Sequence, residues 1–185
     1  MQKGVKFRIY PNMEQQNLIN QTLGCCRLIY NKCLAMRNEA YENGNKIGYS
    51  QTSAMLTGLK RMEEFAFWKE VDSIALQQSL RDLDRGFVNF FQKRAAHPTY
   101  KSKHNHHQSY RTVNQDDNIH IAGKYMKLPK LGFVKIRQSM EVGKINHVTI
   151  ERTPTNKYFA VLNVEFEPQP RPNNGGFTGV DVGIK

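Results

Sequence analysis

Gly4-Val5-Lys6-Phe7-Arg8-Ile9-Tyr10 alternates apolar with polar or basic residues, and Pro11 closes the run. A period of two is that of a half-buried strand, with Val5, Phe7 and Ile9 turned inward and Lys6 and Arg8 outward. No strand pattern follows nearby, because the chain turns helical at once. Asn12 is placed to cap a helix, with Gln15 as its capping-box partner. A helix over 13–41 carries Leu18, Ile19, Leu23, Cys26, Ile29, Tyr30, Cys33 and Leu34 on one face, and Asn43-Gly44-Asn45 stops it. A second helix starts near Ser50 with Met55, Leu56, Leu59 and Met62. A third, after Asp72-Ser73, repeats Leu76, Leu80, Leu83, Phe87 and Phe90 at spacings of four and three, the pattern of a packing seam.

Beyond His97-Pro98 the grammar changes to short strands, expected at 119–122, 125–128, 133–137, 145–151 and 158–167. Several short strands at such spacing suggest a small barrel or sandwich. The lone strand at 4–10 is expected to pair with this later sheet, which makes the helical block an insertion into a β domain. The expected class is therefore α+β. Pro168, Pro170 and Pro172 with Asn173-Asn174-Gly175-Gly176 read as a linker, and 177–185 as the opening of a further strand. A strand that opens at the last residue has nothing to pair with, so the sequence reads as truncated there.

The composition, 39% hydrophobic and 23% charged over 185 residues, is that of a folded chain with a real core. Cys25, Cys26 and Cys33 fall in one helix without a disulfide or zinc spacing, and are expected as small core residues in a reducing compartment. The N-terminus lacks a secretory apolar stretch and no run is long enough for a membrane span, so a cytoplasmic location is expected and no membrane partner.

A net charge of +11 points to polyanionic partners. The charge is uneven: residues 93–137 hold ten basic and two acidic side chains, whereas 61–84 hold three basic and six acidic. The basic block also carries Tyr100, Tyr110, Tyr125 and Phe133. Cations neutralise phosphates and interspersed rings stack on unpaired bases. Candidate contacts there are Tyr100, Lys101, Lys103, Gln108, Ser109, Tyr110, Arg111, Lys127, Lys130, Lys135 and Arg137, joined by Lys6 and Arg8 of the first strand. In the helical block Tyr49, Ser53 and Gln77 lie off the apolar stripes, where a helix start can hold a phosphate and a glutamine can read adenine. His104-Asn105-His106-His107 sits in a polar loop with no cysteine nearby, a poor setting for zinc. Asp181, glycine-flanked in an apolar run, is the one candidate catalytic carboxylate, and one carboxylate does not make a two-metal site.

Taken in order, Lys6-x-Arg8-Ile9-Tyr10-Pro11-Asn12-x-x-Gln15, Gly24-Cys25-Cys26-Arg27-x-x-Tyr30-Asn31 and Leu76-Gln77-x-x-Leu80-x-x-Leu83 resemble proteins of the TnpB/OrfB family of insertion sequences. So do His97-Pro98-x-Tyr100-Lys101-Ser102-Lys103, Gln108-Ser109-Tyr110-Arg111, Lys127-Leu128-Pro129-Lys130-Leu131-Gly132 and Gly179-Val180-Asp181-Val182-Gly183-Ile184. The resemblance implies a wedge-like β-barrel over 1–11 and 96–168, interrupted by a helical recognition domain over 12–95. A linker at 169–176 would lead to the first strand of a RuvC-like nuclease at 177–185. It implies guide RNA from the transposon end and target double-stranded DNA as partners. It also implies Mg²⁺ for the full-length family, with Asp181 as the first metal-binding acid. The later catalytic acids and the four-cysteine zinc finger have no counterpart here, so no cofactor and no cleavage are expected of this chain alone. The alternative is a guide-independent regulator whose helical block docks in a DNA groove.

Overall fold

The computed structural model describes residues 1–137 and 140–167. The alternating first stretch forms β1 (Gln2–Tyr10), with Val5, Phe7 and Ile9 buried. The helices α1 (Met13–Glu42), α2 (Tyr49–Leu59) and α3 (Ser73–Phe91) follow, with a 3-10 helix at Glu63–Lys69 before α3. Six strands complete the chain: β2 (Gln108–Val113), β3 (His120–Ala122), β4 (Tyr125–Leu128), β5 (Gly132–Arg137), β6 (Ile145–Arg152) and β7 (Tyr158–Glu165).

The capping box forms as the sequence implies. Asn12 Oδ1 accepts from the Gln15 amide at 2.8 Å, and Gln15 Oε1 accepts from the Asn12 amide at 3.0 Å. Gln15 does more than cap. Its Nε2 donates to the carbonyls of Leu131 (3.0 Å) and Phe133 (2.9 Å), pinning the start of α1 to the β4–β5 turn. On α3 the seam residues Leu76, Leu80, Leu83 and Phe87 are buried. Ser79 Oγ donates to the Cys26 carbonyl at 2.8 Å, which marks a close crossing of α1 and α3. The three cysteines are free and buried, and burial raises each thiol, Cys25 and Cys33 to about 11.

Two helical expectations need correction. The second helix ends at Leu59, and Met62 is 54% exposed rather than core. The apolar weight there comes from the 3-10 segment, where Phe65 and fully buried Trp68 pack in a tilted arrangement at 4.7 Å between centroids.

All seven strands form one antiparallel sheet in the order β2-β6-β7-β1-β5-β4-β3. β1 lies at its centre between β7 and β5, the later pairing expected of it. The sheet is a curled half-barrel, and among the described residues its edge strands β2 and β3 share no ladder. They are nevertheless drawn together, because only residues 114–119 join them. Asn114 holds that seam: its Nδ2 donates to the carbonyls of Ile119 (3.1 Å) and Ile145 (2.8 Å), and its Oδ1 accepts from the Ile119 amide (2.9 Å). With β3 only three residues long, this one side chain supplies hydrogen bonds that a ladder would otherwise make. Among the described residues no helix is long and apolar enough to cross a membrane. The linker and the stretch 177–185 lie outside the described residues.

Candidate nucleic-acid interface

Strand alternation sends every second residue of the sheet to its outer face. On β1 these are Lys6, Arg8 and Tyr10, on β4 Tyr125 and Lys127, on β5 Phe133, Lys135 and Arg137. The registers arrange them in rows. Tyr125 lies opposite Lys135, and Lys135 opposite Tyr10. Arg137 lies opposite Arg8, and Arg8 opposite Phe159. Lys127 lies between His120 and Phe133. The result is a patch of alternating cations and rings, in which Tyr10, Tyr125 and Phe133 are 46%, 48% and 54% exposed.

The cations of this patch are largely uncompensated. Lys6 pairs with Glu151 at 2.6 Å, but Arg8, Lys127, Lys135 and Arg137 have no ion pair among the described residues. The Arg8 guanidinium lies over the rings of Tyr10 (5.4 Å) and Phe159 (5.3 Å), while its Nε is buried without a hydrogen bond. Two arginines directly opposite across strands repel each other. An anionic partner would turn that cost into attraction.

The other candidates fall elsewhere. Lys130, in the β4–β5 turn, donates from Nζ to the Lys69 carbonyl at 3.2 Å and so faces the helical block. Lys101 is fixed by Asn31, whose side chain bonds both its carbonyl (3.0 Å) and its amide (2.9 Å). Its ammonium lies 4.2 Å from the Tyr30 ring centroid, and burial lowers its pKa. Lys103 accepts at its carbonyl from Gln108 Nε2 (2.7 Å), and Tyr100 is 58% exposed. Gln108, Ser109, Tyr110 and Arg111 stand on β2, a strand not anticipated. Tyr110 was expected as a contact and is instead buried, opposite Ile150, with its hydroxyl held neutral by desolvation. Arg111 is engaged by Asp82 at 2.6 Å.

In the helical block Tyr49 and Ser53 are one turn apart on α2, and Gln77 and Arg81 one turn apart on α3. The Arg81 guanidinium lies 4.9 Å from the Tyr49 ring centroid, which joins the two pairs across the α2–α3 contact. Sequence reading missed Arg81, which carried no local signal, and Tyr10, which the alternation of β1 could have supplied. Asp181 lies outside the described residues. Among those described, no group of three or more His, Cys, Asp or Glu could hold a metal ion.

A family model described as a helix-turn-helix domain, that of IS605 OrfB proteins, matches residues 1–46. Over those residues the chain forms β1 and the single uninterrupted helix α1. The whole chain is 35% identical to the "Putative RNA-guided DNA endonuclease" of Streptomyces pristinaespiralis, covering 46% of that protein. Across 97% of its length it is 33% identical to a second protein of that description, InsQ of Escherichia coli (strain K12), covering 44% of it. Virulence protein VsdF of Salmonella dublin is 35% identical over 56% of this chain and is covered over 96% of its own length. An α+β chain that opens with the OrfB domain is thus matched along its whole length by such relatives. It belongs to the TnpB/OrfB family of insertion-sequence proteins. It spans a little under half the length of the two endonuclease-named relatives.

Proposed function

We propose that these 185 residues are the nucleic-acid-binding N-terminal portion of a TnpB-like, RNA-guided DNA endonuclease. In this reading the wedge-like half-barrel holds guide RNA on its outer face, and the helical block meets target duplex through Tyr49, Ser53 and Gln77. One observation carries it: the unpaired cations Arg8, Lys127, Lys135 and Arg137 interleave with exposed Tyr10, Tyr125 and Phe133 on one sheet face. Cations alone serve any polyanion, but rings between them suit unpaired bases. The names of the two relatives matched along nearly the whole chain favour RNA as the strand held there. Cleavage requires carboxylates beyond Asp181, so the 185-residue chain alone is expected to leave DNA intact.

The test is the nucleic acid that co-purifies with the chain, read by absorbance at 260 and 280 nm and by sequencing. A discrete RNA from the transposon end is expected. Tight, sequence-specific duplex binding that survives ribonuclease treatment, with no RNA bound, would replace this reading by the guide-independent regulator.

A further inference from the structure

At the β2 edge of the sheet, α1, the 92–107 connection and β2 line a recess of about 130 Å³. Its polar lining comes from Arg27 on α1, Lys101, Ser102, Asn105 and His107 on the connection, and Gln108 and Ser109 on β2. No carboxylate lines it. Arg27 has neither ion pair nor hydrogen bond among the described residues, and the Lys101 ammonium has only the Tyr30 ring. The acid that acts on Lys101, Asp82, is itself tied to Arg111 at 2.6 Å. Ser102 Oγ accepts from the His104 amide at 3.1 Å and keeps its own proton to donate. Ser109 Oγ has no partner among the described residues.

The walls are held in place before any ligand arrives. Asn31 clamps both backbone groups of Lys101. Gln108 ties β2 to the connection through the Lys103 carbonyl, and Arg152 in turn bonds Gln108 Oε1 at 3.0 Å and Asn20 Oδ1 at 2.6 Å. A recess fixed in this way loses little conformational entropy on binding. Two unpaired cations and two hydroxyl donors around a small, acid-free space match a tetrahedral oxyanion.

We propose that this recess seats one backbone phosphodiester of a bound nucleic acid, gripped by Arg27 and Lys101 and hydrogen-bonded by Ser102 and Ser109. The seat rests on the nucleic-acid-binding reading above, and it adds an anchor at the β2 edge, several strands from the cations and rings of β1, β4 and β5. A phosphodiester contact positions the strand without reading its sequence.

Two measurements on the intact chain test it. Inorganic phosphate, titrated while backbone amide shifts are followed by NMR, is expected to move Ser102, His107 and Ser109. Arg27→Gln should abolish that movement, and Lys101→Met, which keeps an unbranched side chain of similar length without the charge, should weaken it. The salt dependence of binding, measured separately for single-stranded RNA and for duplex DNA, identifies the strand. In Arg27→Gln the slope of log K against log salt should fall by about 0.7 for RNA or about 0.9 for duplex, whichever strand sits there. Phosphate that moves no amide of the recess, or moves them equally in Arg27→Gln, overturns the seat. Phosphate binding without a slope change for either strand overturns the backbone assignment and leaves a site for free phosphate. A chain that binds phosphate through Arg27 but no nucleic acid keeps the anion seat and sinks the function proposed above.

Discussion

The helical block and the outer sheet face handle their charges in opposite ways. In the block, Arg37 pairs with Asp84 at 2.9 Å and lies over Phe87, Arg81 lies over Tyr49, and Asp82 reaches across to Arg111. Its acids neutralise cations locally, and its order comes from a packed apolar seam. On the sheet face arginines oppose each other and three large rings are left in water. The inner face of the same strands is ordinary core. A surface that forgoes self-compensation is organised for something outside the chain, whereas the block is organised first to fold. Stability and affinity should therefore separate by region.

The largest effect belongs to the block. Trp68→Ala should cost about 4 kcal/mol in denaturant unfolding, because a fully buried ring leaves a cavity. The salt slope of binding should survive wherever the variant stays folded. Next comes the sheet's seam. Asn114→Ala strands the Ile119 amide and two carbonyls, and about 3 kcal/mol of stability should go with them. If Asn114→Ala unfolds no more easily than the parent, the edges meet by some other means.

On the outer face the sign of the outcome changes. Tyr125→Ala should leave the melting temperature nearly untouched while weakening single-stranded RNA binding by about 2 kcal/mol, and duplex binding far less. An equal loss for both strands would mean the ring packs rather than stacks. A further effect belongs to the buried thiols of α1 and shows only in alkaline solution. Burial pushes the Cys25 and Cys33 thiols up to about 11, from an ordinary value of 9.0. A raised folded pKa gives stability that is complete below the unfolded value, so stability should decline as pH climbs from about 9 to about 11. Melting curves across that range check it, and Cys33→Ala should flatten the decline.

Much of the scaffold was legible because its signals are local. The alternation of β1, the Asn12–Gln15 box and the α3 seam each sit within a few turns of chain and need no tertiary context. β2 was not legible. Its inward residues are Gln108, Tyr110 and Thr112, none of them aliphatic, so the strand reads as part of a polar basic stretch. That misreading made Tyr110 look like a stacking ring, when its place opposite Ile150 buries it. The 3-10 segment escaped because its one buried pair, Phe65 and Trp68, spans a single turn and is too short a repeat to read as a helix. The interface was legible as a composition and not as a surface. Strand register alone brings Arg8 to Arg137 and Tyr10 to Lys135, and no local pattern encodes register over such separations.

The measurement that bears most directly on the division between face and block is the salt dependence of single-stranded RNA affinity for two variants. One is Arg8→Gln with Arg137→Gln, the other Gln77→Ala with Ser53→Ala. The sheet-face pair should lower the slope of log K against log salt by about 1.4, with stability held or slightly raised by removal of the like-charge pair. The helical pair should leave that slope unchanged. Equal slopes for the sheet-face pair and the parent would contradict the account, since the opposed arginines of the cation–ring patch would then touch no phosphate.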